Sequence, residues 1–529
     1  MHSRLYNYIR NLLFPCLIFS AVTGFFTAII VTLFKLLAEW VIHISTSAYA
    51  AVRENPEWLP LLIGGAAVIG LLASLVLSLS HSCRGGGIPT SIAAIRGIVS
   101  FKWLSAILLL PVSALLTYLA GLPLGTEGPC VQMGTAVGDG VIKCFGKKKH
   151  EGWRRYMMTG GASAGFSVVT ASPISAIIFA MEELHKHFSP LLLSVASMSV
   201  ISAHVTARAL AAFGIGAVEF LNIPELDALP LSLLFAPLLI GAICGGASIV
   251  FTRLYHVIDH LLHAALKKLT VKIVLPILFA LTAVVGFFLA GALGSGHSII
   301  DSLLAPGSLW YVLILVFLIR AIGMMVSNTS SATGGVFLPT LAFGAIIGAL
   351  CADGMIALGW IGEEQYLIIV VLGIAAFLGA TSRIPLTAAV FALEALGGIN
   401  NILPIIIATT ASLLIIEASG LEDFTDTMIH AKMRKITKGK TPHTVEVPLT
   451  VRPDSFVVGK ELRDVLWPNA CVVVSFTRTS GSAGHHAICE GDVITVHYTT
   501  YDPDATAEEL HTLVGEQSDE VKGLTSAPV

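Results

Sequence analysis

Three short clusters in this sequence combine glycine, proline and, in one case, a single carboxylate: Gly85-Gly-Gly-Ile-Pro89, Gly125-Thr-Glu-Gly-Pro129 and Gly334-Gly-Val-Phe-Leu-Pro339. Each interrupts an apolar stretch and precedes a helical apolar pattern, so each reads as a helix that starts inside a hydrophobic layer. Such a start leaves its first N–H groups unpaired and turns the positive end of its dipole inward. That is unfavourable beside hydrocarbon but suits a buried anion. For any one cluster, kinking or close helix packing is the better explanation of the glycine and proline. Three clusters, one with an acid inside it, point to converging helix starts that form an anion site. The acid is Glu127. A carboxylate tethered at a helix start competes with a halide for the same N–H groups when ionised and withdraws when protonated. One side chain can therefore couple anion movement to proton uptake.

Further acids stand inside apolar runs. At an offset of 212 residues, Pro173 to Glu182 falls on Pro385 to Glu394, with Pro, Ala, Phe, Ala and Glu identical, while Gly161 and Ala164 fall on Gly373 and Ala376. This reads as an internal duplication of the kind that builds the repeated halves of transporters. Glu394 is expected to form an ion pair within the membrane, with Arg320 as a candidate partner. Glu183 reads, from the residues alone, as a solvated helix end, because His185, Lys186 and His187 follow at once. Glu417 is likewise near a helix end and carries less weight.

The elements that must position these residues are set by composition. Apolar residues make up 55% of the 529 and charged residues 12%, with a mean hydropathy of +0.83. This is the composition of a membrane protein. Stretches long enough to span a bilayer occur at 58–80, 103–124, 229–251 and 273–294, and shorter ones at 366–379 and 402–416. The segment 15–49 carries Lys35 and Glu39 and is too long for a signal-peptide core, so it reads as a retained, tilted helix. Eight scattered cysteines lack the spacing of a metal site or a disulfide framework, and nothing in the sequence calls for a cofactor.

Charge divides the chain. Residues 443–529 hold thirteen Asp/Glu against five Lys/Arg, whereas 1–442 hold 21 against 26. Basic clusters at Lys147–Lys149 with Arg154 and Arg155, at Lys267 and Lys268, and at Arg434, Lys435, Lys438 and Lys440 mark cytoplasmic loops by the positive-inside rule and place the C-terminal region in the cytoplasm.

In order and spacing, the three clusters resemble the CLC family of chloride channels and transporters, whose pattern contains Gly-Ser-Gly-Ile-Pro, Gly-Arg-Glu-Gly-Pro and Gly-Gly-(Ile/Val)-Phe-x-Pro. The likeness runs from the first long helix to about residue 440. It implies an all-α polytopic membrane protein with inverted-topology repeats and broken helices, a homodimer with one pore per subunit in a bacterial inner membrane, and chloride and protons as the transported species. By the resemblance, Glu127 is the gating and external proton glutamate. Gly86, Gly87, Ile88, Gly128, Val336 and Phe337 present the anion-binding backbone, and Glu183 is the internal proton glutamate of family exchangers. Two motifs depart from the family pattern. Gly86 stands where the family has a serine whose hydroxyl holds the anion, and Thr126 replaces an arginine at the outer entrance. The last membrane helix lacks the family's tyrosine; Thr425 falls there, with Phe424 beside it. These changes leave a passive or loosely coupled chloride channel and a fluoride/proton antiporter as alternatives to a chloride/proton antiporter. Gly128-Pro129 and Glu183 argue against the fluoride branch.

Residues 1–442 thus form the transport domain, 443–505 a small cytoplasmic α/β domain and 506–529 an acidic tail. The second shows strand-like stretches over Val451–Gly459, Cys471–Phe476 and Gly491–Tyr498 and a short helix over Glu461–Leu466. Its Ser455-x-x-x-Gly-Lys-x-Leu462 stretch resembles the RCK-C (TrkA-C) regulatory domain, which commonly pairs with a second copy and sometimes binds a small ligand such as a cyclic dinucleotide. No nucleic-acid polymer is implied. An enzyme is the rival outside transport, because Gly161-Ala-Ser163-Ala-Gly165 fits G-x-S-x-G. That run of small residues suits helix packing instead, and no HExxH is present.

Overall fold

The computed structural model describes residues 14–515 apart from 100–101, 147, 267–268, 437–440, 454, 469, 479–486 and 502. Lys147, Lys267, Lys268, Lys438, Lys440 and the tail from 516 onward, on which several expectations rest, lie outside the described residues. In chain order the helices are α1 (Phe14–Glu54), α2 (Leu59–Leu79), α3 (Gly87–Ile95), α4 (Trp103–Leu119), α5 (Glu127–Phe145), α6 (Arg154–Thr170), α7 (Pro173–Phe179), α8 (Pro190–Ala212), α9 (Phe235–Leu266), α10 (Val271–Phe288), α11 (His297–Ser302), α12 (Trp310–Thr329), α13 (Phe337–Ala357), α14 (Tyr366–Thr381), α15 (Pro385–Ala395), α16 (Ile402–Ala418), α17 (Phe424–Ile436) and α18 (Pro503–Leu513). Among the described residues nine helical segments are long and apolar enough to cross a membrane, as expected of a multi-pass membrane protein. The first of them, α1, runs for 41 residues without a break.

Glycine decides how closely these helices approach. A Cβ on Gly134 would collide with the carbonyl of Gly161, and one on Gly161 with that of Gly134; Gly138 meets Met157 and Gly165 meets Cys130 in the same way. These contacts seat α5 on α6 backbone to backbone, in the manner of small-residue membrane interfaces. Gly161 and Gly165 therefore serve packing, and Ser163 between them is fully buried. Gly344 and Gly373 bring α13 onto α14 by the same device. Both pairs are buried along most of their length and form the centre of the molecule.

The expected partnership of Glu394 with Arg320 does not form. Arg320 is fully buried and donates to the carbonyls of Gly291 (3.0 Å), Leu293 (2.8 Å) and Gly294 (2.9 Å). It closes the chain that leads into α11. Glu394 instead accepts from the backbone N–H groups of Ile174 and Ser175. Glu417 pairs with Arg383 at 3.1 Å.

After α17 the chain forms a three-stranded antiparallel sheet, β1 (His443–Thr450), β2 (Cys471–Thr477) and β3 (Val493–Thr500), in the order β1-β3-β2. His443 pairs with Thr500 and Cys471 with Tyr498, with a bulge at Val473/Ser475. Two local expectations are corrected. Among its described residues Val451–Gly459 holds no strand, because Pro453 cannot donate to a ladder and Gly459 takes φ +81°. Residues 461–466 hold only a single 3-10 turn, Leu462–Asp464, which ends as Val465 turns extended (φ −87°, ψ 122°). Helix α18 buries Leu510 and Leu513, and the Leu513 carbonyl accepts from Val457 N.

This small unit sits directly on the membrane domain. The Tyr156 hydroxyl donates to Asp464 O and accepts from Leu466 N. Arg155 pairs with Glu509 at 2.6 Å, Ser189 Oγ donates to Asp464 Oδ1 at 2.7 Å, and Phe456 packs edge-on to Trp153. Lys460, from the stretch that carries the RCK-C resemblance, is buried at this junction with its ammonium over the Phe456 ring at 3.6 Å from the centroid.

Candidate functional site

The loops ahead of α5 and α13 are joined by a two-way backbone bridge: Gly125 N donates to Gly335 O and Gly335 N to Gly125 O, both at 2.7 Å. Tyr118 from α4 adds a hydroxyl to the second lone pair of Gly125 O at 2.9 Å. The start of α3 closes on the same point. A Cβ on Gly87 would strike the carbonyl of Gly128; one on Gly128 would stand 2.7 Å from Gly335 Cα, and one on Gly335 2.6 Å from Gly128 N. Any side chain at these positions would force the helix starts apart. The three clusters found along the sequence thus meet as bare backbone, with their helix N-termini directed to one region.

Glu127 is the first residue of α5 and is fully buried. Its Oε1 accepts from Thr126 Oγ1 at 3.3 Å, and the carboxylate leans on the backbone amides of Glu127 itself and of Leu338, in the first turn of α13. Oε2 has no partner with normal hydrogen-bond geometry among the described residues. The carboxylate therefore lies beside the Leu338 amide in the first turn of α13. The nearby positive charge comes from Lys35 in α1, whose ammonium is anchored on Glu219 O at 2.6 Å and Ala217 O at 3.3 Å. Along the sequence Lys35 stands out only as a charge inside an apolar helix; its position relative to residue 127 is a tertiary fact.

Gly86 caps α3, and Gly87 and Ile88 form its first turn. Val336 caps α13 and Phe337 begins it, held edge-on between Phe166 (5.0 Å) and Phe391 (5.5 Å). With Gly128 these residues come together around the three helix starts. Gly85, at φ +78°, turns the chain into α3 with open space beside it. A cavity of about 510 Å³ reaches Gly86, lined among others by Arg84, Tyr255, Asn328, Met428 and Lys432. Asn328 and Tyr255 carry no signal in the sequence.

Thr425 does not line this cavity. Its hydroxyl faces the carboxylate of Glu183, so it joins the second acidic residue rather than the helix starts. Glu183 lies in a π-helical turn, Ala180–His185, where the widened turn draws the side chain inward to 2% exposure. It is a buried carboxylate and not the solvated helix end its neighbours suggest. Lys186, in a left-handed conformation at φ +56°, bonds to Asp423 and Asp426, and Arg96 lies 3.5 Å from Asp426. Glu183 thus sits behind a charged cluster that opens toward the start of α17.

The chain matches the family model described as voltage gated chloride channel over residues 65–417. It is 26% identical over 430 residues to the H(+)/Cl(-) exchange transporter ClcA of Vibrio parahaemolyticus, covering 80% of this chain and 90% of that one. To the ClcA of Yersinia pseudotuberculosis it is 28% identical over 413 residues, 76% and 85% of the two chains. Among solved structures it resembles a slow cyanobacterial Cl-/H+ antiporter (TM-score 0.71, 20% identity, 80% of this chain and 99% of that one). It also resembles a CLC-type fluoride/proton antiporter (TM-score 0.63, 20% identity, 77% and 96%). The fold, the three joined helix starts and the family match together place this chain in the voltage-gated chloride channel (CLC) family.

Proposed function

We propose that this protein is a chloride/proton antiporter of a bacterial inner membrane, working as a homodimer with one pathway per subunit. The observation that carries this reading is the buried carboxylate of Glu127 lying beside the Leu338 amide of α13 at the junction of three helix starts. When ionised it occupies the place of an anion; when protonated it loses its claim on that amide and swings aside. Gly86, Gly87, Ile88, Gly128, Val336 and Phe337 supply the backbone for the anion. Glu183, with Thr425 against it, passes protons between Glu127 and the cytoplasmic charged cluster. Curated relatives named as H(+)/Cl(-) exchange transporters support the choice of substrates.

The duplicated segments are read as inverted-topology repeats, which the mutual contact of α7 and α15 supports. Residues 1–442 are the transport domain. Residues 443–505 are a cytoplasmic regulatory domain of the RCK-C type, with dimerisation or a small ligand such as a cyclic dinucleotide as its task, and 506–529 are its acidic tail. A second reading, a passive or loosely coupled chloride channel, is favoured by the cavity that reaches a residue without a side chain at Gly86. The fold likeness to a fluoride/proton antiporter keeps fluoride as an alternative anion.

The test is flux in liposomes. A chloride gradient should drive protons uphill, Glu127→Gln should abolish proton movement while anion flux persists, and Glu183→Gln should uncouple the two. Chloride flux in wild type without protons would establish the channel reading, and proton transport coupled to fluoride alone the fluoride one.

A further inference from the structure

We infer that Asn328 is an anion-contacting side chain of this protein and that Tyr255 holds its amide in the donating orientation; this rests on the anion-transport reading above. Asn328 lies at the end of α12, on the wall of the 510 Å³ cavity. Its Oδ1 accepts from the Tyr255 hydroxyl at 3.2 Å, which turns the NH2 group the other way. Nδ2 is buried and has no partner within the described protein. A Cβ built on Gly86 would stand 3.1 Å from it. An amide donor left over in a buried place costs free energy unless something takes its hydrogens, and here it lies against Gly86, the N-cap of α3, at the positive end of that helix.

The surroundings select the sign of what it binds. An amide NH2 offers two donors and no acceptor. Arg84 and Lys432 bring positive charge to the same cavity, and Lys432 Nζ is tied to Thr90 Oγ1 at 2.6 Å, one turn into α3. The single acid among the lining residues, Asp259, already has Thr329 at 3.3 Å, His263 at 3.3 Å and Arg434 at 3.5 Å around it. The occupant is a small inorganic monovalent anion. Tyr255 is a positioning residue: its ring is buried edge-on to Phe424, 4.8 Å between centroids, so its hydroxyl cannot wander. A Cβ at residue 86 would press on the amide.

Chloride binding to the purified full-length protein by titration calorimetry, with folding checked by gel filtration, tests this. Asn328→Ala should weaken chloride at least about tenfold, the loss expected for one hydrogen bond to a charged group. Asn328→Asp, nearly isosteric, should lose binding further because it offers acceptors only. Tyr255→Phe should weaken binding about threefold, within the range of a single neutral hydrogen bond. Gly86→Ser alone should impair binding, and Gly86→Ser with Asn328→Ala should regain it, since removing the amide makes room for a hydroxyl. Wild-type affinity in Asn328→Asp or Asn328→Ala overturns the inference and leaves Nδ2 on a bound water. A loss in Asn328→Ala that neither Tyr255→Phe reproduces to a lesser degree nor Gly86→Ser restores also overturns it, as a packing effect. A wild type that neither binds nor moves chloride overturns the transport reading instead.

Discussion

Glu182 and Glu394 cap each other's helices. The carboxylate of Glu182, beyond the end of α7, accepts from Leu386 N at 3.0 Å and Thr387 N at 2.6 Å in the first turn of α15. Glu394 in α15 accepts from Ile174 N and Ser175 N, both at 3.0 Å, in the first turn of α7. The two caps are related to each other by the 212-residue offset that relates the matching segments of the chain. Each carboxylate satisfies N–H groups that a helix cannot pair internally and places negative charge at a positive dipole end. Glu182→Gln and Glu394→Gln should each destabilise the protein by about 1 kcal/mol, typical of a lost cap, with a non-additive double variant. Thermal unfolding of the three variants checks this.

Gly128 and Gly85 should respond differently to alanine. Gly128 has an ordinary φ but a Cβ there meets Gly335 Cα at 2.7 Å, whereas Gly85 has φ +78° and open space. Gly128→Ala must push apart the starts of α5 and α13 and should cost about 3 kcal/mol or more, seen as loss of folded protein and of anion flux. Gly85→Ala should cost about 1 kcal/mol, the strain of a left-handed alanine, with flux retained.

The junction between the small domain and the membrane domain should tighten as pH rises. Burial against Trp153 and Phe456 pushes the Lys460 ammonium down to about 7 from 10.5. Between these values the unfolded chain holds the proton and the folded one does not, so stability increases with pH from about 7 to about 10.5. Lys460→Met should flatten that rise and protect the 462–467 amides from hydrogen exchange at neutral pH, measured across the same window.

Arg320→Lys should be costly although charge is kept. The guanidinium serves three carbonyls, Gly291, Leu293 and Gly294, in a buried place, and an ammonium on a shorter stem cannot match that fork. A loss of about 2 kcal/mol or more, from carbonyls left unpaired, should appear as a lowered Tm.

Much of this is legible along the chain because it is local. Glycine-proline clusters mark helix starts whatever surrounds them, and the spans follow from runs of apolar residues that a bilayer requires. The expectations that fail concern short, weak signals or distant partners. Val451–Gly459 alternates like a strand, yet Pro453 and Gly459 break it. Glu183 looks solvated beside His185 and Lys186 because the π-helical turn that draws it inward has no sequence mark.

By itself the sequence determined the membrane class, the three helix starts and the single acid at one of them, since each depends on residues within a few positions of one another, and it displayed the matching segments 173–182 and 385–394. Only the tertiary structure decided who meets whom: Glu394 with the start of α7 and not Arg320, Thr425 with Glu183 and not the cavity, and Asn328 beside Gly86. Those choices follow from how closely glycine lets separate helices approach, and the distance between two helices is a property of their packing that neither carries alone.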